Sequence, residues 1–256
     1  MRDITYPPII FTAKTAFRVL GQKIVLSGTD NVPRSGGFLL ASNHIGYADF
    51  VYAGLGAHPS RRLVRFMAKK EIFDNPVGGP VMRSMHHIPV DRGEGIGSYK
   101  KAVEFLRRGE GVGIFPEATI SRAMELKEFK NGAVRIAAEA GVPVLPVILW
   151  GTQRIFTKDH PKDFSRGRTI QIRVGEPMWF TGEDPTAETE QLHERMAQML
   201  DEVIATHPAS EQPPGSWWLP ARHGGSAPTL ARAAELDAEE KRERARRRAE
   251  KRASRK

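Results

Sequence analysis

Phe38-Leu39-Leu40-Ala41-Ser42-Asn43-His44-Ile45-Gly46-Tyr47-Ala48-Asp49 is the stretch that decides the fold. Its opening run is short and apolar, the pattern of a strand covered on both faces. The run ends at Asn43-His44. Gly46 then lets the chain turn, and Asp49 is a residue type that opens helices. Strand, turn and helix in that order form the repeating unit of a parallel α/β sheet.

The same alternation continues outward. Further strands are expected at 24–27, 63–68, 87–90, 112–115, 144–149 and 169–174, with helical patterns at 50–56, 76–85, 97–107, 132–140 and 188–204. The expected fold is α/β, a mainly parallel central sheet flanked by helices. Ahead of it, Ile9, Ile10, Ala13, Ala16, Phe17 and Leu20 recur at helical spacing, with Lys14 and Arg18 interleaved. This predicts an N-terminal amphipathic helix over 8–21, suited either to a membrane interface or to the protein's own core. Organisation is expected as a domain at 1–207, a Pro/Gly/Ser-rich linker at 208–228 and a charged low-complexity tail at 229–256. The tail lacks an apolar stripe, so it is read as a solvated appendage, disordered or helical.

Composition narrows the chemistry. The chain has no cysteine, which excludes disulfides, thiolate metal sites and an acyl-cysteine intermediate. No stretch approaches the roughly 20 apolar residues of a spanning helix. The first residues show no signal-peptide pattern. A cytoplasmic protein, at most peripheral on the inner face of the plasma membrane, is therefore expected. The net charge is +9, and residues 231–256 carry eleven basic against six acidic residues. A basic surplus attracts anions such as lipid phosphates, an anionic membrane surface, an acidic carrier protein or nucleic acid. Against nucleic acid stand the missing Walker loop, RNP-type strand and Cys/His finger.

Three clusters carry candidate chemistry, all placed after strands, where open α/β sheets bind ligands. In the first, His44 is a candidate general base. If the chain turns at Gly46, Asp49 can reach back to the imidazole, fix its tautomer and stabilise the imidazolium. A core histidine and a simple helix cap would leave the same letters. In the second, the strand at 112–115 delivers Pro116-Glu117-Ala118-Thr119-Ile120-Ser121-Arg122. In the third, His87-Ile88-Pro89-Val90-Asp91 delivers Arg92. Arg92 and Arg122 offer the bidentate fork that a phosphate accepts. Glu117 either pairs with Arg92 or bonds a substrate hydroxyl. Lys130 precedes a helix N-terminus, a place suited to an anion. Val142-Pro143-Val144-Leu145-Pro146-Val147 is read as shaping rather than chemistry. No Gly-x-Ser-x-Gly elbow and no HExxH motif occurs.

Taken in order, Asn43-His44 with Asp49, Arg92 after an apolar strand, Phe115-Pro116-Glu117-Ala118-Thr119, and the proline-flanked strand resemble the four blocks of the PlsC-like glycerolipid acyltransferases. The resemblance covers about 24–180. It implies a glycerol-3-phosphate acyltransferase-like fold, with His44 and Asp49 as the catalytic dyad. It also implies that Arg92, Glu117, Ala118 and Thr119 bind the acceptor's glycerol phosphate. The implied reaction moves a fatty acyl group from acyl-CoA or acyl-carrier protein to a lysophospholipid acceptor, 1-acyl-glycerol-3-phosphate, with no metal or bound cofactor. Two departures stand out. Ala118 occupies a place where the family usually has glycine, and Ile120 stands where an arginine often follows the threonine. That leaves Arg122 as the substitute cation and opens the way to a different lysolipid or glycolipid acceptor. Readings of another class are a non-catalytic lipid sensor and a nucleic-acid binder.

Overall fold

The computed structural model describes residues 3–91 and 95–253. In chain order these form α1 (Tyr6–Val19), β1 (Lys23–Ser27), β2 (Phe38–Ser42), α2 (Asp49–Ala57), β3 (Val64–Lys69), α3 (Lys70–Phe73), α4 (Gly78–Ser84) and β4 (Ile88–Val90). They continue as α5 (Gly95–Arg107), β5 (Gly111–Ile114), α6 (Gly132–Ala140), β6 (Val144–Trp150), β7 (Thr169–Val174), α7 (Pro185–Thr206) and α8 (Leu230–Ala253). One sheet runs in the order β1-β7-β6-β2-β5-β3-β4. All of its pairings are parallel except β6 with β7.

The strand β2 lies at the centre, and its side chains split between two cores. Leu39 and Ala41 face α5, α6 and α7, while Phe38 and Leu40 face α2 and the outer strands. All five of its residues are buried, which explains a continuous apolar run rather than an alternating one. On the neighbouring β5, a Cβ built on Gly113 would lie 2.4 Å from the Phe66 ring. Glycine there leaves room for that ring to lie across the strand.

Most boundaries lie within two or three residues of expectation, and the differences have local causes. The helix α7 starts three residues early because Asp184 caps it, accepting from the Thr186 and Ala187 N–H groups at 3.1 Å, with Pro185 in the first turn. The pattern at 76–85 resolves into α4 alone, preceded by the short α3. His87, expected in a strand, is a core residue whose Nδ1 accepts the Phe66 N–H at 2.9 Å. Burial, helped by Arg65, pushes it down to about 4, so it stays neutral.

The segment after α7 departs from expectation. The segment at 208–228 is packed rather than a free linker. Leu219 and Ala227 join the main core, and Gln212 accepts from the Trp150 indole at 2.9 Å. The tail is the helix α8, docked on the domain through Ala233, Asp237 and Glu240. A low-complexity charged sequence forms a docked helix here because its few inward residues meet cations on the body.

Candidate active site

Parallel pairing brings the strand ends together. Ala41 is in register with Ile114, and Ser42 with Val147. The loops that follow β2, β5 and β6 therefore emerge side by side at one edge of the sheet. His44 leaves β2, Glu117 leaves β5, and Thr152 follows β6.

Asn43 ends β2 by imitating another strand residue. Its side chain donates to the Leu149 carbonyl at 3.0 Å and accepts the Leu149 N–H at 2.7 Å. The chain then turns back. A Cβ on Gly46 would lie 3.1 Å from both Asp49 Oδ1 and the Phe156 carbonyl, so only glycine sits there without displacing the carboxylate. Asp49 opens α2, as expected, and its side chain reaches over the turn.

The His44 Nδ1 lies 3.0 Å from Asp49 Oδ2. The same oxygen accepts the Ile45 and Gly46 N–H groups, both at 2.7 Å, and Oδ1 accepts the Thr152 hydroxyl at 2.7 Å. Asp49 is fully buried, yet every side of its carboxylate is met by a donor. A buried carboxylate held this way stays in one orientation. It fixes the proton on His44 Nδ1 and leaves Nε2 as the acceptor. The imidazole keeps 20% of its side-chain surface exposed, and it stacks on Phe115 with centroids 4.2 Å apart. Nε2 has no hydrogen-bond partner among the described residues. A fixed ring with one open nitrogen is a general base in waiting.

Glu117 lies beside His44 at the expected sheet edge, with its carboxyl group turned to the backbone. It is buried, and its two oxygens accept backbone N–H groups, from His44 at 2.8 Å and from Lys127 at 3.1 Å. Burial pushes its carboxyl up to about 8, against the pull of those two N–H groups. Glu117 thus clamps the His44 turn to the loop after β5 rather than offering itself to a substrate hydroxyl. A second tie joins them, the Ser121 N–H donating to the His44 carbonyl at 2.7 Å.

Ala118 takes up the left-handed backbone that glycine would adopt more easily, with φ of 61°. The departure at this position therefore leaves the turn intact at some cost in strain. The Thr119 hydroxyl receives a hydrogen bond from the Lys127 ammonium. Arg122 is 7% exposed and held by Asp159, Asp237 and Glu240. Lys130 is 70% exposed, beside Glu128 at 3.9 Å, and stays out on the surface. Arg92 lies outside the described residues; β4, which precedes it, ends at the same sheet edge.

The sequence reading missed Thr152, Lys127 and Lys158. Thr152 follows β6 and was legible only through the register of β2 with β6. Lys127 and Lys158 belong to loops whose course no periodicity reports. Among the described residues no three His, Asp or Glu side chains gather as metal ligands would.

Comparison with known proteins agrees with this geometry. A family model described as Acyltransferase matches residues 23–150, half of the chain. The 1-acyl-sn-glycerol-3-phosphate acyltransferase of Bacillus subtilis (strain 168) is 35% identical over 58% of this chain and 70% of its own length. A protein of the same name from Borreliella burgdorferi is 30% identical, covering 63% of this chain and 64% of that one. Among solved structures, the 1-acyl-sn-glycerophosphate (LPA) acyltransferase PlsC from Thermotoga maritima shares the fold. Its TM-score is 0.65 at 24% identity, over 79% of this chain and 80% of that one. The family match, the order of the motifs and the His44–Asp49 geometry converge: the chain belongs to the acyltransferase family.

Proposed function

We propose that this protein transfers a fatty acyl group from an acyl thioester to the free hydroxyl of 1-acyl-glycerol-3-phosphate, forming phosphatidate. The observation that carries the reading is the His44–Asp49 pair, closed on the Nδ1 side and open at Nε2. The names of the Bacillus and Borreliella relatives supply the acceptor.

An aliphatic hydroxyl is too weak an acid to attack a thioester unaided, so its proton must be taken as the new bond forms. His44 Nε2 accepts that proton while the acceptor oxygen bonds to the thioester carbonyl carbon. Asp49 stabilises the imidazolium. The carbon–sulfur bond then breaks, and His44 returns the proton to the departing thiolate. No acyl-enzyme is formed. Arg92 is the cation proposed for the acceptor phosphate on the strength of the motif order, with Arg122 as a further candidate. Thr119 stays a candidate contact for the acceptor's glycerol. Glu117 serves by positioning, because its carboxylate is already committed to the backbone. Acyl-CoA or acyl-carrier protein is the donor, and no cofactor enters the chemistry.

The acyl chains of donor and acceptor favour work at a membrane surface, and the inner face of the plasma membrane is the location proposed. No described helix is long and apolar enough to cross a membrane. What supports surface binding is α1, whose outer side exposes Phe11 and Val19 beside Arg18, and the α3–α4 region, which exposes Ile72, Val77 and Val81.

Thiol release from acyl-CoA, followed with 1-acyl-glycerol-3-phosphate, 1-acylglycerol and lysophosphatidylcholine as acceptors, tests the assignment. Turnover should be at least tenfold faster with the phosphomonoester. Equal rates on all three would refute the acceptor, and no acceptor-dependent release with any thioester would refute the enzyme.

A further inference from the structure

The helix α8 sets its acidic residues against the loop that carries the site. Its covered positions are Ala233, Leu236, Asp237 and Glu240, a single stripe at helical spacing, and beyond Glu240 the described side chains are exposed. Asp237 lies 3.1 Å from both the Lys127 and the Lys158 ammonium groups and also pairs with Arg122. Glu240 lies 3.0 Å from Arg122 and 3.3 Å from Lys158. The three cations are 7%, 16% and 12% exposed for Arg122, Lys127 and Lys158. We propose that Arg122, Lys127 and Lys158 form a phosphomonoester site beside His44, which Asp237 and Glu240 occupy as an internal substitute, making α8 a displaceable plug.

Charge supports an exchange. Among the described residues of the body at this place, three cations face one carboxylate, Asp159, which leaves two positive charges. Asp237 and Glu240 supply two negative ones, Glu240 shared with the exposed Arg244 of its own helix. A phosphomonoester carries about −1.5 to −2 at neutral pH, with three strong acceptor oxygens. Cations this buried are unfavourable when left without a counter-ion. The pocket is therefore stable with either anion in it and unfavourable with neither.

Position ties the pocket to the chemistry. Lys127 reaches the Thr119 hydroxyl and, at 3.5 Å, the Ile120 carbonyl. It thus brings a cation to the motif at which Ile120 supplies none. The Lys127 backbone is bound to Glu117, which in turn holds the His44 backbone. Tyr47, three residues past His44, has its hydroxyl pushed up by burial and next by the charge of Glu240, which puts that carboxylate within electrostatic range of the His44 turn.

The hold on α8 is of the kind that ligands and salt overcome. Ala233 is its one buried apolar residue among those described, Leu236 is half-buried beside it, and the remaining covered side chains, Asp237 and Glu240, dock through ion pairs. Ion pairs at a partly open surface are screened by salt and yield to a better-matched anion.

The proposal rests on the acyltransfer reading only for which phosphate is meant, since the acceptor and the CoA donor each carry a phosphomonoester. The test uses the full chain and its D237N/E240Q variant, which keeps the helix and its shape while removing both charges. Glycerol 3-phosphate stands for the acceptor and adenosine 3′,5′-bisphosphate for CoA, with binding measured by calorimetry at low salt. The variant should bind one of them at least tenfold more tightly than the unaltered chain, and adding Lys127→Ala should remove the gain. A gain for glycerol 3-phosphate assigns the site to the acceptor, and a gain for the bisphosphate assigns it to the donor. Affinities within twofold of the unaltered chain for both probes would overturn the plug, as would a variant that is merely less stable. The unaltered chain gives a second readout. Saturating probe should speed trypsin cleavage in the Lys/Arg run at 241–252, and unchanged cleavage with both probes counts against the proposal. Because neither readout uses turnover, failure of acyl transfer would appear separately.

Discussion

Asp49 and Glu117 are both buried carboxylates, and their surroundings set them to different work. Four donors meet Asp49, so its carboxylate is held in one orientation against the His44 ring. Glu117 meets two backbone donors, and burial carries its carboxyl from the ordinary 4.5 to about 8. Between those values the folded chain keeps a proton that the unfolded chain has released. Stability contributed by this group is therefore full below about pH 4.5 and lost as pH rises toward about 8. The loss is at most about 1.4 kcal/mol per pH unit. Thermal midpoints across this range should show a falling component that Glu117→Gln removes, although the glutamine forfeits one backbone hydrogen bond and lowers the midpoint at acid pH. An unaltered pH profile in that variant would mean that Glu117 is ionised throughout.

At the scale of elements, the loop after β5 bears the most local strain near the site. Ala118 at φ of 61° places a Cβ where L-residues are disfavoured by roughly 1–2 kcal/mol. Glycine would relieve that strain while adding freedom to the unfolded chain. Ala118→Gly should therefore raise stability by about 0.5–1 kcal/mol, read as a small rise in melting temperature. A lower melting temperature would show that the methyl group packs usefully. The strands and most helices were legible because burial on both sheet faces writes itself as apolar runs, as at β2 and β6. The His44–Asp49 contact was legible for a related reason, since a strand end, a glycine and a helix-opening aspartate leave few routes for the chain. Thr152 was hidden because its partner lies 103 residues away and only strand register joins them. The docking of α8 was hidden for a different reason. Half of its inward stripe is charged, and a hydrophobic pattern cannot report a helix held largely by ions.

Over the whole molecule, charge and apolar surface are unevenly placed. In the first half of α8 Asp237 and Glu240 turn inward, while the described Lys/Arg side chains after Glu240 are exposed. On α1, Phe11 and Val19 face outward and are 69% and 61% exposed, while Tyr6 anchors the helix by donating to the Val64 carbonyl at 2.7 Å. Full burial of a side chain as large as phenylalanine in an apolar phase is worth about 1.5–3 kcal/mol. Phe11→Ser with Val19→Ser should weaken binding to anionic vesicles at least tenfold in a sedimentation assay, with soluble short-chain acceptors still turned over. Undiminished vesicle binding would move the membrane contact elsewhere, to α3–α4 or the basic end of α8.

The most direct test bears on the imidazole. Acceptor-dependent thiol release should be compared between the unaltered protein and His44→Ala, with the melting temperature of each recorded. The account predicts loss of release by three orders of magnitude or more with the fold retained. Release at an undiminished rate from a folded His44→Ala protein would contradict it.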